Sequence, residues 1–288
     1  MPDRSPEMDP VLFRAFERAA HDRIAASYEA FFVPITANAA GPLLDAVDAG
    51  VGTRLLDVAT GPGAVAAHAA RRGARATGVD LSPHMVALAA RMHPGCAFLE
   101  ADVESLPFDA SSFDAVVCAF GIGHFPSATV AMRECCRVLA PAGTIALAWW
   151  DRPERNRLQG VILEAIEEVG ARPPPDLPVG PPLFQYSDDA ALADLLGAAG
   201  LDEVVVATHR FVHTVASTQA VWEGALGSLA RVSALIRCQP ADVVERIRAA
   251  FERRAGVYAD RSGVTLPMSF KVAAGRRGQP AHPGTTAG

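Results

Sequence analysis

The chain has 288 residues, half of them apolar and a fifth charged, so it can bury a sizeable core and is not disordered throughout. Acidic residues outnumber basic ones by 32 to 26, which argues against a nucleic-acid groove, since such grooves need a basic surplus. The five cysteines include no C-x-x-C pair, so neither a zinc site nor a disulfide framework is indicated.

The N-terminal sequence predicts neither secretion nor membrane insertion. Residues 1–10 carry acids and prolines where a secretion signal has basic and then apolar residues. No apolar run reaches about 18 residues, and the strongest one, residues 144–150, suits a buried strand. We therefore expect a cytoplasmic protein without a membrane span. Abundant alanine and glycine, with Lys271 as the single lysine, indicate a GC-rich bacterial gene.

The first half of the chain divides into a helical segment and an alternating segment. Residues 1–50 are predicted to be helical because their aromatic and aliphatic side chains recur at helical spacing. Beyond them, β-rich apolar runs alternate with alanine-rich helical runs, which is typical of a doubly wound parallel sheet. We predict strands at 53–58, 74–80, 96–99, 115–120 and 143–150, and helices at 63–72, from Ser82 onward, and at 127–139 before Pro141.

The second half begins with a proline-rich stretch, residues 153–186, which is too long for an ordinary connection. After it we predict a helix at 188–199, a strand at 203–209, amphipathic helices at 217–236 and 240–258, and a last strand at 265–273. The predicted divisions are a helical segment covering the site (1–50), a cofactor-binding core (51–152), the excursion with its helix (153–200), the final core strands with a helical cap at about 217–258 (201–275), and a disordered tail (276–288).

The strongest functional signal is the sequence LLDVATGPG, in which an apolar strand ends in an acid and a glycine-rich turn opens a helix. Gly61 and Gly63 allow close approach of a ligand, and the helix N-terminus offers free N–H groups. The turn also fits the dinucleotide fingerprint G-x-G-x-x-A. Asp80, 19 residues after Gly61, ends the next strand, where its carboxylate would accept hydrogen bonds from ribose hydroxyls. A nucleoside cofactor is therefore predicted.

Three features favour a cofactor without phosphate over NAD(P). Pro62 removes an N–H that a pyrophosphate would use, and Asp57 places a negative charge that suits an ammonium group. Asp57 could equally cap the turn. Asp102, after the third strand, could accept a hydrogen bond from an adenine amino group. S-adenosylmethionine (SAM) has this composition, whereas an NAD(P)-dependent oxidoreductase remains as the less favoured alternative.

Four segments together resemble the class I SAM-dependent methyltransferases in order and spacing, namely LLDVATGPG, GVDLSPHMVALA, EADVESLPFDASSFDAVVCAFGIGHFP and MRECCRVLAPAGTIALAWWD. The likeness extends to the branch of ubiquinone/menaquinone-biosynthesis C-methyltransferases, the methyltransferase type 11 branch. It covers residues 50–152 strongly and 200–275 weakly. It implies an α/β fold with a Rossmann-like, doubly wound, seven-stranded sheet. In that fold the last strand, 265–273, runs antiparallel and inserts beside 203–209.

The resemblance also implies which residues contact the cofactor. Gly61 and Gly63 would cradle the methionine part, Asp80 would bind the ribose, and Asp102 would hold the adenine edge. Ala59 departs from the common D-x-G-x-G-x-G form, which has a glycine at that position. The full predicted set of cofactor-binding residues is Asp57, Ala59, Thr60, Gly61, Gly63, Asp80, Leu81, Asp102, Val103, Ala119 and Phe120.

His124 is the candidate catalytic residue. It follows a glycine-containing turn beyond the fourth strand, at the carboxyl edge of the sheet, where open α/β sheets bind ligands. Members of the family often carry a polar residue here, so His124 is predicted to act as a base or to orient the acceptor. No metal-ligand cluster is visible. The candidate acceptor-pocket residues, for which simple packing is the alternative, are Phe16, Tyr28, Phe31, Trp149 and Trp222.

These observations predict a SAM-dependent methyltransferase (EC 2.1.1) that acts on a small organic acceptor in biosynthesis. The acceptor would be apolar or aromatic and would react through oxygen or carbon, leaving S-adenosylhomocysteine as the product. We expect no nucleic-acid partner, no metal, and a monomer or homodimer. A SAM-binding cyclase or isomerase of the same fold, which transfers no methyl group, is the main alternative because its cofactor motifs would look the same.

Overall fold

The N-terminal part of the protein is helical over most of its length. The computed structural model describes residues 8–279, so residues 1–7 of the predicted helical segment and 280–288 of the predicted tail lie outside the described residues. Asp9 begins the first helix by accepting hydrogen bonds from the N–H groups of Val11 and Leu12 at 2.8 and 3.1 Å. The segment consists of α1 (Pro10–Ser27), a π-helical turn (Tyr28–Phe32), α2 (Val33–Thr36), a 3₁₀ turn (Ala37–Ala39) and α3 (Ala40–Ala46).

A mixed sheet forms the centre of the fold. Its strands are β1 (Arg54–Val58), β2 (Arg75–Asp80), β3 (Ala97–Glu100), β4 (Phe113–Ala119), β5 (Leu139–Trp150), β6 (Leu201–Val215), β7 (Ala259–Asp260) and β8 (Gly263–Arg277). They lie in the order β3-β2-β1-β4-β5-β8-β6, and the two-residue β7 pairs with β8. Strands β1 to β5 are parallel, whereas β8 is antiparallel to both β5 and β6. This arrangement confirms the predicted doubly wound sheet and its inserted last strand.

The remaining helices connect and cover these strands. They are α4 (Ala64–Arg71), α5 (Pro83–Met92), α6 (Ala128–Val138), α7 (Arg157–Val169), α8 (Asp189–Ala198), α9 (Thr218–Ser228), α10 (Ala230–Arg237) and α11 (Ala241–Gly256). Ser82 begins α5 as predicted, because its hydroxyl accepts a hydrogen bond from the N–H of Met85 at 3.1 Å. Within the described part of the chain, no helix combines the length and the apolar character that crossing a bilayer demands.

Several predicted boundaries are wrong. Strand β5 begins at Leu139 and not at residue 143, because Leu139 already has extended backbone angles, and the helix before it ends at Val138, one residue earlier than predicted. The proline-rich stretch contains the 13-residue helix α7. The sequence analysis did not predict this helix, because prolines lie on both sides of it. Strand β6 continues to Val215, well past residue 209. Strand β8 continues to Arg277, two residues into the predicted tail.

The core lies around the central strands. Leu55, Leu56 and Val58 of β1 are fully buried, as are Val116 and Val117 of β4. Strands with both faces covered are expected to be apolar throughout, which explains the continuous apolar runs in the sequence. The order of the strands reverses between β1 and β4, and ligands of open α/β sheets bind at the carboxyl ends of the strands beside such a reversal.

Candidate functional site

A cavity opens where β1, β2, β3 and β4 end. It contains about 780 Å³ of empty space, part of it open to solvent, and we call it the strand-end cavity. Helix α1 and the turns that follow these four strands line it. Eight of the eleven predicted cofactor residues line the strand-end cavity, namely Ala59, Gly61, Asp80, Leu81, Asp102, Val103, Ala119 and Phe120.

The turn after β1 has the left-handed backbone that its glycines permit. Gly61 and Gly63 have φ values of 52° and 82°, and Ala59 has a φ of 52°. A side chain at Gly63 would lie 2.7 Å from the ring of Phe98, so only glycine fits there without movement. A Cβ at Gly61 would meet no atom within 4 Å, which places this residue against open space. A left-handed backbone at Ala59 is one that glycine adopts more readily than alanine, which suits the glycine of the common D-x-G-x-G-x-G form at this position.

Asp57 lies beneath the turn and not in the cavity. Its Oδ2 accepts hydrogen bonds from Thr60 Oγ1 at 2.6 Å and from the N–H of Ala66 at 3.1 Å. The side chain is buried, and neither it nor Thr60 or Gly63 lines the cavity. The structure therefore does not bring Asp57 to the cavity wall, and its hydrogen bonds favour the capping alternative. Burial raises the pKa of Asp57 to about 7, although its two hydrogen bonds oppose the change.

The raised pKa of Asp57 predicts a pH-dependent stability. In the unfolded chain the pKa of this group is near its ordinary value of 3.8, whereas in the folded chain it is about 7. Between these values the folded state binds more protons, so the free energy of unfolding falls as the pH rises through this window. In Asp57→Asn the free energy of unfolding should fall less between pH 4 and 7, by an amount on the order of 1–3 kcal/mol. Urea denaturation at several pH values in this range measures the difference. An unchanged pH dependence in the folded variant would contradict this assignment.

Asp80 joins two turns at the edge of the strand-end cavity. Its Oδ2 accepts a hydrogen bond from the N–H of Gly61 at 2.8 Å, and its Oδ1 accepts one from the N–H of Ser82 at 2.9 Å. Burial raises the pKa of Asp80, and these two hydrogen bonds oppose that rise. The carboxylate therefore fixes the position of the glycine turn relative to the end of β2.

Helix α1 crosses the same edge of the sheet through charged contacts. Arg14 Nε lies 2.6 Å from Asp102 Oδ2, and Arg18 pairs with Glu100 at the same distance. Asp22 accepts a hydrogen bond from the hydroxyl of Ser82 at 2.5 Å. These contacts run from one face of α1 to the ends of β2 and β3, so this helix forms one wall of the cavity.

A second cavity adjoins the first. It contains about 660 Å³ of empty space, part of it open to solvent, and has aromatic walls, and we call it the aromatic cavity. Phe120 stacks on Trp150 with ring centroids 3.8 Å apart, while the Trp149 indole donates a hydrogen bond to the carbonyl of Leu183 at 3.2 Å. Arg231 supplies a cationic group at the wall. The residues that line both cavities are His21, Tyr28, Phe120 and His124. These four side chains mark the junction between the cavities.

The predicted acceptor-pocket residues fall into two groups. Tyr28 and Trp149 line the aromatic cavity. The other three line neither cavity, which favours the packing alternative for them. Phe16 packs beside the small cluster of α1 and α5, the ring of Phe31 meets His213 edge-on, and Trp222 packs on Phe251 with centroids 5.2 Å apart. Helical periodicity predicts that such aromatic side chains lie on the buried face of a helix. It does not predict which part of the fold packs against that face.

His124 is held at the junction by a residue that the sequence analysis missed. It ends a 3₁₀ turn (Ile122–His124), and its Nδ1 lies 2.9 Å from Glu17 Oε2. Glu17 is 2% exposed on α1. Burial would raise the pKa of Glu17, but the facing His124, and further His21 and Arg231, leave it lowered. The spacing of Glu17 and His21, four residues apart on one helix, is the only feature of the local sequence that points to the group formed by Glu17, His21 and His124.

The same residues form a group with metal-binding potential. Among residues 8–279, Glu17, His21 and His124 bring three possible ligand atoms within 4.8 Å of one another. The sequence prediction that no ligand cluster exists is therefore wrong. Hydrogen bonds also account for this geometry, because His21 Nδ1 lies 2.9 Å from the backbone carbonyl of Glu17 while His124 Nδ1 faces its carboxylate.

Comparison with known proteins identifies the type of domain. Residues 56–147 match the family described as a methyltransferase domain. The demethylmenaquinone methyltransferase of Chlorobaculum tepidum is 46% identical over 91 residues, covering 31% of this chain and 38% of that protein. The enzyme of the same name from Streptomyces griseus is 29% identical over 181 residues, covering 57% of this chain and 79% of that protein. The chain thus spans less than half the length of the Chlorobaculum relative.

Solved structures show the same fold. The YcgJ protein from Bacillus subtilis superposes with a TM-score of 0.54 and 19% sequence identity, covering 84% of this chain and 99% of that one. At this identity the likeness concerns the fold alone. Together with the matched domain, these findings show that the chain is similar to the class I SAM-dependent methyltransferases of the menaquinone and ubiquinone type, as its four sequence motifs predict.

Proposed function

We propose that the protein binds SAM in the strand-end cavity and transfers its methyl group to a small organic acceptor in the aromatic cavity. The observation that carries this proposal is the junction at which His21, Tyr28, Phe120 and His124 line both cavities. A methyl donor in one cavity and an acceptor in the other would meet there. The similarity to methyltransferases of the menaquinone type supports the same function.

The residues around the strand-end cavity suit SAM. Gly61 faces open space, so the methionine part of the cofactor can lie directly on the backbone there. The carboxylate of Asp80 keeps lone pairs for ribose hydroxyls beyond the two N–H groups that it already accepts. Leu81, Asp102 and Val103 would enclose the adenine. When bound, the cofactor supplies the electrophilic methyl group, and the protein has only to align the acceptor and exclude water.

The aromatic cavity suits an apolar or aromatic acceptor. The rings of Phe32, Trp149 and Trp150 line it, and Arg231 adds a polar contact. The relatives named demethylmenaquinone methyltransferases are consistent with an aromatic acceptor and with transfer to carbon or oxygen. We propose that His124 acts at the junction as the base for this acceptor, or that it orients the acceptor. The similarity to methyltransferases does not favour the alternative of a cyclase or isomerase.

Thermal denaturation with cofactors tests the proposed binding. Ligands that bind only the folded state stabilise it by mass action, by about 2.7 kcal/mol at a concentration one hundred times the Kd. We therefore expect SAM and S-adenosylhomocysteine each to raise the Tm by about 5–10 °C at that concentration. NADH at equal concentration serves as the control. A Tm that rises with NADH and with neither sulfur cofactor would contradict the proposal.

The transfer itself is tested by product analysis. Incubation with SAM and a panel of phenols, naphthols, anilines and thiophenols is expected to yield S-adenosylhomocysteine and a methylated acceptor in equal amounts. Cofactor binding without S-adenosylhomocysteine from any acceptor would contradict methyl transfer. Isomerised or cyclised acceptor in such a reaction would instead support the non-transferring alternative.

A further inference from the structure

We propose that Glu17 is a positioning residue that holds His124 as a proton acceptor at the junction, and that the methyl acceptor is accordingly a hydroxyl compound or a carbon acid. This inference rests on the proposed function, which it deepens by naming the chemical class of the acceptor. It is carried by one contact between α1 and the turn after β4, in which Glu17 Oε2 lies 2.9 Å from His124 Nδ1.

The contact determines which nitrogen of His124 is free. An ionised carboxylate can only accept hydrogen bonds, so Nδ1 carries the hydrogen and the neutral ring keeps its lone pair on Nε2. The Glu17 side chain is 3% exposed, whereas that of His124 is 33% exposed and lines both cavities. The edge of the imidazole that does not face Glu17 is therefore available to an acceptor at the junction.

Charged and titratable groups from three elements surround the imidazole and its partner Glu17. The groups that face it or its partner are Glu17 and His21 on α1, Asp80 at the end of β2, and Arg231 on α10. The carboxylates of Glu17 and Asp80 stabilise the positive charge that His124 acquires when it takes a proton. The ring of His21 meets that of His124 edge-on at 5.0 Å, and Arg231 partly offsets the charge of Glu17.

Burial of the ionised Glu17 side chain is energetically unfavourable, which indicates a functional role for its contact with His124. Its Oε1 has no hydrogen-bond partner among the described residues, and an ionised group removed from water costs several kcal/mol unless it is compensated. A neutral amine needs little help to attack a methyl group, whereas a hydroxyl or a carbon acid must lose a proton to become a strong nucleophile. A carboxylate that orients a base therefore suits the second kind of acceptor.

In the proposed step, a hydroxyl acceptor loses its proton as it takes the methyl group. The O–H bond breaks, and its proton moves to Nε2 of His124. The electron pair left on oxygen forms the new bond to the methyl carbon. The carbon–sulfur bond breaks, and its electron pair stays on the sulfur of S-adenosylhomocysteine. For a carbon acid, the C–H bond takes the place of the O–H bond. The resulting imidazolium is stabilised by Glu17.

The test compares Glu17→Gln with wild-type protein. The amide keeps the size of the side chain and removes its charge. With phenols and naphthols we expect kcat to fall by about 10²-fold, while KM for SAM and the Tm shift with SAM stay within about threefold. Thiophenols, which are already ionised at neutral pH, should be methylated at nearly the wild-type rate.

The control is Glu29→Gln, which makes the same change on the same helical segment at a residue that lines neither cavity. An equal loss with thiophenols and phenols, or no loss with either, would overturn the inference. So would methyl transfer by the wild-type protein to anilines alone, or activity that a chelator abolishes and Zn²⁺ or Fe²⁺ restores, since a metal held by Glu17, His21 and His124 would take the place of the Glu17–His124 hydrogen bond. Wild-type protein that makes no S-adenosylhomocysteine at all would instead refute the proposed function.

Discussion

Asp80→Ala is expected to weaken SAM binding by about ten- to a hundredfold. A hydrogen bond to a charged group contributes about 1.5–3 kcal/mol, and the variant loses the acceptor that we assign to the ribose. The substitution also frees the N–H groups of Gly61 and Ser82, which Asp80 holds at 2.8 and 2.9 Å. The glycine turn would then be less well fixed before the cofactor arrives. Isothermal titration with SAM and with S-adenosylhomocysteine measures the change in Kd.

Two further variants separate the lost contact from a general weakening of the fold. Asp80→Asn keeps an oxygen acceptor and should lose less affinity than the alanine variant. Asp109→Ala removes an exposed acid that lines neither cavity and should bind SAM like the wild-type protein. The Tm of each variant without ligand shows whether it is folded. A folded Asp80→Ala variant that titrates like the parent would mean that Asp80 does not contact the cofactor.

The parts of the fold that depend on local pattern were predictable. An apolar strand, a glycine turn and a helix start follow one another between Arg54 and Arg71, and the structure has them in that order. The insertion of β8 between β5 and β6 is different, since no local pattern states which strands pair. It was predicted only through the resemblance of four motifs to a known family. Helix α7 was missed because prolines on either side dominate that stretch.

Among the site residues, too, local sequence patterns predicted some positions, whereas contacts between distant parts of the chain could not be predicted. The ends of β2 and β4 could be located from the sequence, and Asp80 and Phe120 do line the strand-end cavity. Asp57 could not be placed, because spacing along the chain does not tell whether a side chain lies above or below a turn. Glu17 meets His124 across 107 residues of chain, so no window of the sequence contains both. Contacts of this length depend on how α1 lies across the finished sheet.

His124→Ala is expected to lower turnover by about 10²–10⁴-fold, the range found when a general base is removed, while the SAM affinity stays within a few-fold. The imidazole lies at the junction of the two cavities and is held there by Glu17 at 2.9 Å. Its loss removes the proton acceptor without disturbing the glycine turn or Asp80. Turnover is measured with the acceptor found in the product screen, and affinity by titration with SAM.

His124→Gln distinguishes a base from a residue that only shapes the cavity. Glutamine can occupy much of the same space and form hydrogen bonds, but it cannot take a proton. If His124 is the base, the glutamine variant should be nearly as slow as the alanine variant. If the glutamine variant keeps most of its turnover and only the KM of the acceptor changes, His124 orients the acceptor. Weakened SAM binding in a folded variant would contradict both roles and place the imidazole against the cofactor instead.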